Sequence, residues 1–359
     1  MLADQRHQMI LERVRLHGRV KATELAAELG VSEITVRRDL NDLHDAGLLT
    51  RVHGGAVRKG SERLGESAPR AIGIIIPSRL HYFSDVLLGA ESAARGLGVR
   101  LVLGVSGTQD LEPDQIARME SLGVDGLLMT TAASDYEPER VASWLADVRL
   151  PTVLVERSFG YPAISREFDY VRTDHPYGAA IAFRHLHGLG HRKFAAGLLT
   201  TPTCQWLELG CRRAEAELGL EDPVDVVRIQ QVPSEDYSEV LEEFLERGLA
   251  RGVRGYFLHN DTLAAMFVDV ATRRGIRVPQ DIAVIAYDDV TAGFAAVPLT
   301  AVAPPKKHLG AAALAQLMRR LTGARDEPVS HQAFLPSLTV RDSCGVEIGV
   351  VIENDRAIK

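Results

Sequence analysis

Near the N-terminus, basic and hydroxyl side chains flank an isoleucine within two turns of a predicted helix over 33–45. At about 100° per residue, Ile34 and Arg38 point away from the apolar face of that helix. An exposed isoleucine beside arginines suits thymine methyl groups in a DNA major groove, where arginine reaches guanine or phosphate. First-turn amides near Ser32 suit a phosphate oxygen. The predicted apolar face is Val36, Leu40 and Leu43, and the predicted DNA contacts are Ser32, Ile34, Thr35, Arg37 and Arg38.

A strand, a glycine turn and a return strand are predicted after this helix, over 48–57. Glycine at the turn lets a backbone approach DNA closely, while neighbouring basic side chains contact phosphate or the minor groove. We therefore expect further DNA contacts from Arg51, His53 and Gly54. The alternative for 1–57 is a small helical domain used for protein contacts.

A second set of polar side chains follows apolar β-runs in the rest of the chain. Ligands bind beyond the carboxyl ends of strands in open α/β sheets, so these residues are candidates for a binding cleft. Carboxylates and an amide suit sugar hydroxyl groups, and an aromatic ring suits the C–H face of a sugar. The predicted effector contacts are Tyr82, Phe83, Glu156, Arg157, Asp174, Trp206, Asn260 and Asp288. For each polar one, a helix-capping role is the alternative, above all for Asp174.

No set of nucleophile, base and orienting group, and no phosphate-binding loop, accompanies these residues. The histidines in His185-x-His187-x-x-x-His191 lie on a helix and its exit, where i and i+2 do not share a face. We therefore expect no catalytic residues, no metal and no cofactor. Two alternatives stay open: an enzyme acting on a small sugar or nucleotide in the same cleft, and a sugar-binding receptor.

The elements that must position these groups change character along the chain. After three helices and a hairpin, 58–70 is a polar linker, and from 71 onward β-runs alternate with helical patterns. This α/β alternation predicts parallel sheets covered by helices, and there are too many strands for one sheet. The predicted divisions are a DNA-binding domain at 1–57, a linker at 58–70, an effector domain at 71–345 and a tail at 346–359. Within the effector domain, the first lobe is predicted at about 71–171 and 292–324, and the second at about 172–291 and 325–345.

Charge and composition favour the same division. The net charge is −7, yet 1–60 carry ten Lys and Arg against eight Asp and Glu, which leaves −9 for the remainder. The positive segment is where a phosphate-binding surface is expected. No apolar run reaches the ~20 residues of a membrane span, and the first residues lack the apolar stretch of a secretory signal. With three cysteines, we expect a cytoplasmic protein with reduced thiols and no membrane partner.

Two family resemblances agree with these expectations. The motif around Thr35-Val36-Arg37-Arg38-Asp39-Leu40, followed by Arg51-Val52-His53-Gly54-Gly55-Ala56, resembles the DeoR-type winged helix-turn-helix. From 71 to about 345 the chain resembles the effector domain of LacI/GalR repressors and periplasmic sugar receptors. The matching pieces include Ile72-Gly73-Ile74-Ile75-Ile76-Pro77, His259-Asn260-Asp261, and Val278-Pro279-Gln280-Asp281-Ile282 continuing to Asp288-Asp289.

The resemblance implies a two-lobed periplasmic-binding-protein-like fold with three crossovers and a sugar effector between the lobes, contacted from the positions of Asn260 and Asp288. It implies a transcriptional regulator that binds operator DNA, and we expect it to act as a repressor. A two-fold protein on a pseudo-palindromic operator gains affinity from both halves, so a homodimer is expected. Two departures matter. The stretch 205–211 lacks an arginine common in the family, which disfavours an acidic effector, and the linker 58–70 replaces the family's hinge helix.

Overall fold

The computed structural model describes residues 3–17, 19–52, 54–58, 70–78, 82–132, 145, 147–158, 168–231, 236–323 and 328–345. The chain divides into two compact units, Met1–Arg70 and Ala71–Lys359. No helix in the described ranges is both long and apolar enough to cross a membrane.

The N-terminal unit packs three helices against a small antiparallel sheet of order β1-β3-β2. Its elements are α1 (Ala3–His17), β1 (Arg19–Lys21), α2 (Ala22–Leu29), α3 (Glu33–Asp45), β2 (Leu49–Val52) and β3 (Gly55–Arg58). The predicted apolar face of α3 is confirmed, because Val36, Leu40 and Leu43 are buried against Ile10 and Leu25. The sequence predicts the hairpin of β2 and β3 but not β1, which pairs with β3.

The C-terminal unit consists of two six-stranded sheets covered by helices, as the α/β alternation predicts. Its strands are β4 (Ala71–Ile76), β5 (Arg100–Val105), β6 (Gly126–Met129), β7 (Thr152–Val155), β8 (Asp169–Thr173), β9 (Phe194–Leu199), β10 (Asp225–Ile229), β11 (Gly255–Leu258), β12 (Ala283–Tyr287), β13 (Thr300–Ala303), β14 (His331–Phe334) and β15 (Ser337–Thr339). Its helices are α4 (Tyr82–Leu97), α5 (Glu112–Ser121), α6 (His175–Gly188), α7 (Cys204–Leu218), α8 (Ser238–Ala250), α9 (Asp261–Arg273) and α10 (Lys306–Thr322).

Sheet order defines the two lobes. The first-lobe sheet is β14-β8-β7-β6-β4-β5, and the second-lobe sheet is β10-β9-β11-β12-β13-β15. The strands are parallel except where β15 meets β13. Strands such as β4, β6, β7 and β9 are buried along their whole length, which explains their continuous apolar sequences.

The predicted lobe boundaries need correction. The sequence assigns 292–324 to the first lobe and 325–345 to the second, but β13 pairs with β12 in the second lobe and β14 pairs with β8 in the first. The chain therefore crosses between lobes after β8, between β13 and α10, and between β14 and β15. The prediction was wrong because strand pairing depends on residues far away in the sequence. The sequences of the short strands β13 and β14 do not indicate which sheet each strand joins.

Helix α10 returns to the first lobe and lies against α4 at very short range. A Cβ atom added to Gly310 would lie 1.9 Å from the main-chain oxygen of Val86, and one added to Gly89 would lie 1.9 Å from that of Lys307. Only glycine permits this approach of two backbones. The contact fixes the N-terminus of α10 beside the N-terminus of α4, where Tyr82 begins the helix.

Candidate functional site

The N-terminus of α3 is held by a hydroxyl pair. The side chain of Ser32 caps the helix by accepting a hydrogen bond from the amide of Thr35 at 3.2 Å. The two hydroxyl oxygens lie 2.9 Å apart. Between them Ile34 is 80% exposed, an unusual position for a large aliphatic side chain on a helix whose opposite face is buried.

Two arginines lie on the exposed side of the N-terminal half of α3. Arg37 pairs with Glu33 at 3.0 Å, with both side chains exposed. Arg38 is exposed, and in the described part of the chain its guanidinium has no hydrogen-bond or ion-pair partner. The acidic residue between the arginine and the core, Asp39, is buried and accepts two hydrogen bonds from Arg6 on α1, at 2.8 and 3.0 Å.

The ion pair between Asp39 and Arg6 keeps a negative charge away from the exposed face of α3. Burial disfavours the charged form of Asp39, but the hydrogen bonds from Arg6 more than offset burial and lower the pKa of this carboxyl. The ionised group is neutralised locally by Arg6, so it does not oppose phosphate binding by Arg37 and Arg38. The same ion pair fixes the rotation of α3 relative to α1.

The turn after β2 is open to solvent. Gly54 has φ of +78° and would have no atom within 4 Å of an added Cβ, so backbone and surroundings are both free of obstruction there. Arg51 in β2 is half-buried, and one of its guanidinium nitrogens, Nη1, is buried without a partner in the described part of the chain. His53 lies outside the described residues. The contacts predicted for Arg51, His53 and Gly54 stay predictions.

In the C-terminal unit, a cavity of about 310 Å³ lies where the carboxyl ends of strands from both lobes meet. Six of the eight predicted effector contacts line it, namely Tyr82, Phe83, Glu156, Arg157, Asn260 and Asp288. The remaining two are not among its lining residues. Asp174 caps α6 by accepting from the amide of Tyr177 at 2.9 Å, and Trp206 lies against the guanidinium of Arg172, 4.4 Å from its ring centre.

Glu156 is the most heavily bonded side chain of the cavity. Its carboxylate accepts from the amide and hydroxyl of Thr173, at 2.8 and 2.7 Å, and from the hydroxyl of Tyr82. Nε2 of His175 lies 3.2 Å away. Burial disfavours the charge, but His175, Thr173 and Tyr82 more than offset burial and lower the pKa of Glu156 to about 2. Among the described residues, positive φ values at non-glycine residues occur at Glu156 (+56°), Asp288 and Asp289, of which the first two line this cavity.

This carboxylate connects the two lobes at the first crossover. Tyr82 and Glu156 belong to the first lobe, and Thr173 ends β8 at the crossover. His175 begins α6 in the second lobe, and its Nδ1 lies 2.7 Å from the hydroxyl of Tyr287 at the end of β12. A chain of polar contacts therefore runs from α4 to β12 across the cavity wall.

The cation of Arg157 is directed to main-chain oxygens. Its Nε donates to the oxygen of Thr131 at 2.8 Å and its Nη1 to the oxygen of Glu156 at 2.7 Å. These bonds brace the loops after β6 and β7. They make Arg157 a weak candidate for binding an anionic effector.

The second-lobe wall offers unused polar atoms. Asn260 caps α9 with its Oδ1, which accepts from the amide of Leu263 at 2.8 Å, and its amide nitrogen has no partner in the described part of the chain. Asp288 is half-buried with φ of +93°, and its carboxylate likewise has no partner among described residues. Burial and the neighbouring Asp261 raise the pKa of Asp288 to about 8, against the opposing effect of Lys306.

Sequence reasoning missed several lining residues, among them Thr201, Gln231, His259, His175 and Tyr287. Nε2 of His259 lies 2.9 Å from the hydroxyl of Thr201, and its Nδ1 is buried without a partner in the part of the chain that is described. Burial, and then the nearby His175, lower the pKa of His259 to about 3, so its ring is neutral. Their positions shortly after β8, β9, β10 and β11, or at the end of β12, are the signal that would have identified them.

Potential metal ligands do not coincide with this cavity. Across the described ranges, the group with three candidate ligand atoms within 4.8 Å of one another is His7, Asp39 and Asp42 in the N-terminal unit. Asp39 is already occupied by Arg6. The cavity thus combines hydroxyl, amide, imidazole and carboxylate groups with the guanidinium of Arg157, which is bonded within the protein. Such a set recognises a hydroxyl-rich molecule through hydrogen bonds.

Comparison with known proteins matches each unit to a family. The model of the DeoR-like helix-turn-helix domain matches 6–62, and that of the periplasmic binding protein-like domain matches 183–344. An arabinose metabolism transcriptional repressor of Geobacillus stearothermophilus is 26% identical over 330 residues, which is 89% of each chain. The HTH-type transcriptional repressor PurR of Erwinia tasmaniensis is 31% identical over 285 residues, 76% of this chain and 80% of that protein.

A solved structure agrees in fold. The transcriptional regulator CelR–cellobiose complex superposes with a TM-score of 0.65 at 23% identity, covering 90% of this chain and 100% of that one. At this identity the likeness establishes the architecture alone.

Proposed function

Because the chain belongs to the LacI-type family of transcriptional repressors, here with a DeoR-like helix-turn-helix domain, we propose that it represses transcription from an operator and is released by a sugar. In this proposal α3 enters the major groove of the operator. The effector occupies the cavity between the lobes of the C-terminal unit. The proposal places the protein in the cytoplasm with the chromosome, and it assigns the cavity to binding without turnover.

The observation that carries the DNA-binding part is the exposure of Ile34 between Ser32, Thr35 and Arg38. Single exposed apolar side chains are common on protein surfaces, but this isoleucine lies among hydroxyl and guanidinium groups that suit DNA. Thymine methyl groups provide an apolar partner of the right size, and the exposed Arg38 beside it can form the bidentate contact that identifies guanine. The capped N-terminus at Ser32 suits a backbone phosphate.

The effector part rests on the polar atoms left over in the cavity. Asp288 and the amide nitrogen of Asn260 supply an acceptor and a donor on the second-lobe wall, opposite Tyr82 and Phe83 on the first. Sugar rings present hydroxyl groups at their edge and C–H groups on their face, so this arrangement fits them. Two relatives point to the same class, since one is named for arabinose metabolism and another is solved with cellobiose.

We propose a homodimer, in which two copies of α3 contact the two halves of a pseudo-palindromic operator. The lac repressor, which shares the fold, is solved as a dimer on its operator. The effector can change operator affinity only if it binds one arrangement of the lobes more tightly than the other.

The decisive experiment selects genomic fragments that bind the purified protein at physiological salt, then measures their affinity against random duplex of equal length. We expect a preferred palindromic sequence bound at least about 10³-fold more tightly than random DNA. Addition of individual sugars should weaken that affinity, and recovered sugar should be chemically unchanged. No sequence preference would refute the repressor, and turnover of a sugar would identify an enzyme.

The cavity is tested separately with Asp288→Asn, which keeps the shape of the side chain and replaces its ionisable carboxyl group with an amide. We expect operator binding to persist and release by the sugar to be lost. Loss of both would show that Asp288 supports the fold and does not serve the effector.

A further inference from the structure

A buried lysine lies behind the cavity at the second crossover. Lys306 is 7% exposed and begins α10, which packs in the first lobe. Its ammonium group donates to the main-chain oxygen of Asp288, at the end of β12 in the second lobe. The same nitrogen lies 5.5 Å from the ring centre of Tyr82 in the first lobe. One cation therefore contacts a residue of each lobe that lines the cavity.

The backbone leaves little freedom to this lysine. The close contact of α4 with α10 fixes the distance between Tyr82 and Lys306. Before it, the crossover consists of Pro304 and Pro305, and the amide of Lys306 donates to the oxygen of Pro304 at 2.8 Å. Two prolines have fixed φ angles, so the crossover is stiff. These backbone constraints therefore hold Lys306 at one position between the lobes.

A buried ammonium group is unfavourable unless its charge is compensated. The contacts here are one carbonyl oxygen and one aromatic face. The carboxyl group of Asp288 is not bonded to the ammonium group, but it lies within its electrostatic reach, and Lys306 favours its charged form. Asp288 in turn holds a backbone conformation that non-glycine residues avoid, with φ of +93°. Such a conformation persists only when contacts around it require it, and the bond from Lys306 to its main-chain oxygen is one of these contacts.

We propose that Lys306 is a positioning residue for the effector response, which holds Asp288 in its cavity-facing conformation and ties that wall of the second lobe to the first. The proposal rests on the proposed function, in which Asp288 contacts the effector. Movement of the lobes against each other must change or break the contact between Lys306 and Asp288, because α10 moves with the first lobe. Effector contact at Asp288 is thereby coupled to lobe closure.

The charges near Asp288 determine the direction in which its pKa should change when Lys306 is replaced. Asp261 on α9 and Glu156 after β7 disfavour its ionisation, and both neighbouring tyrosines, Tyr82 and Tyr287, lie within its electrostatic reach. Lys306 is the cation that opposes them. Removing the charge of Lys306 must therefore raise the pKa of Asp288 further. If Lys306 only filled space, its replacement by a neutral residue would leave that pKa unchanged.

The experiment titrates the full-length protein without effector, labelled with carbon-13 at aspartate carboxyl groups, with Asp288→Asn identifying the signal. We expect the wild-type carboxyl to titrate near pH 8. Lys306→Met and Lys306→Gln should both shift its midpoint upward by about 1 pH unit or more, and Lys306→Arg should restore it. The glutamine variant can still donate to the carbonyl, so it separates charge from hydrogen bonding if the methionine variant does not fold.

The adjacent Lys307 supplies the matched control, because it is exposed and pairs with Asp85 at 3.6 Å on the surface. Lys307→Met should leave the midpoint of Asp288 unchanged. Hydrogen exchange in peptides covering 288–294 should be at least about tenfold faster in Lys306→Met than in Lys307→Met. An unchanged midpoint in both neutral variants of Lys306 would overturn the proposal. The titration and the hydrogen exchange are measured without effector. Their outcome is therefore independent of the DNA-binding and sugar experiments that test the proposed function.

Discussion

Replacing Ile34 by alanine should weaken operator binding while leaving the fold intact. The side chain is 80% exposed, so its removal loses little packing within the protein. In the major groove, full burial of the three carbon atoms removed would be worth about 2.4 kcal/mol at ~0.8 kcal/mol per methylene. A groove contact covers one side of the chain, so about 1 kcal/mol per half-site is expected. Two half-sites then give about 2 kcal/mol, or roughly 30-fold in Kd.

Fluorescence anisotropy with the selected operator, repeated between about 50 and 200 mM salt, measures this effect. An apolar contact releases no counterions, so the slope of log Kd against log salt should equal that of the wild type. Leu48→Ala is the matched control, since Leu48 is 52% exposed in the same unit and lies outside the proposed contacts. Unchanged affinity would refute the placement of Ile34 in the groove. A reduced salt slope, or a lower melting temperature than the control, would show that the effect has another origin.

Three further substitutions test other parts of the structure. Arg38→Ala should weaken specific operator binding by about 1–3 kcal/mol, and binding measured on operators altered base by base should show relaxed preference at one position. Gly55→Ala should lower the free energy of unfolding of the N-terminal unit by about 1–3 kcal/mol, because the new Cβ would lie 1.9 Å from the main-chain oxygen of Val20; unchanged thermal unfolding would contradict the pairing of β1 with β3. Glu156, with its pKa lowered to about 2 from an ordinary 4.5, stabilises the fold above about pH 4.5 by about 3 kcal/mol, a contribution lost as the pH falls towards 2. Denaturant unfolding of Glu156→Gln should therefore depend less on pH between 5 and 2 than that of the wild type, and equal dependence would argue against the lowered pKa.

Local patterns in the sequence predicted those parts of the fold that local physics determines. The face of α3 followed from helical spacing, and its cap followed from a hydroxyl residue before the helix. The α/β alternation predicted two parallel sheets. The assignments that failed depend on partners far along the chain, as with β13 and β14, whose sheets are decided by tertiary pairing.

The cavity shows the same division. Positions after strands were predictable as a class, because parallel strands end at one edge of their sheet. The sequence could not show that Glu156 would be fully bonded within the protein, or that Trp206 would lie against Arg172. It also gave no sign of Lys306, which reaches the cavity wall through a close approach of two helices at Gly89 and Gly310.

Helix capping and effector binding are separate roles of different atoms, and one side chain can perform both. In Asn260 the oxygen caps α9 while the amide nitrogen is left for the cavity. In Asp174 the cap is formed as well, but the residue does not line the cavity. What distinguishes them is the extended backbone of Asn260, with φ of −154°, at a strand end that faces the other lobe. A polar residue that follows a strand can therefore contact a ligand only through the atoms that its capping role leaves unbonded.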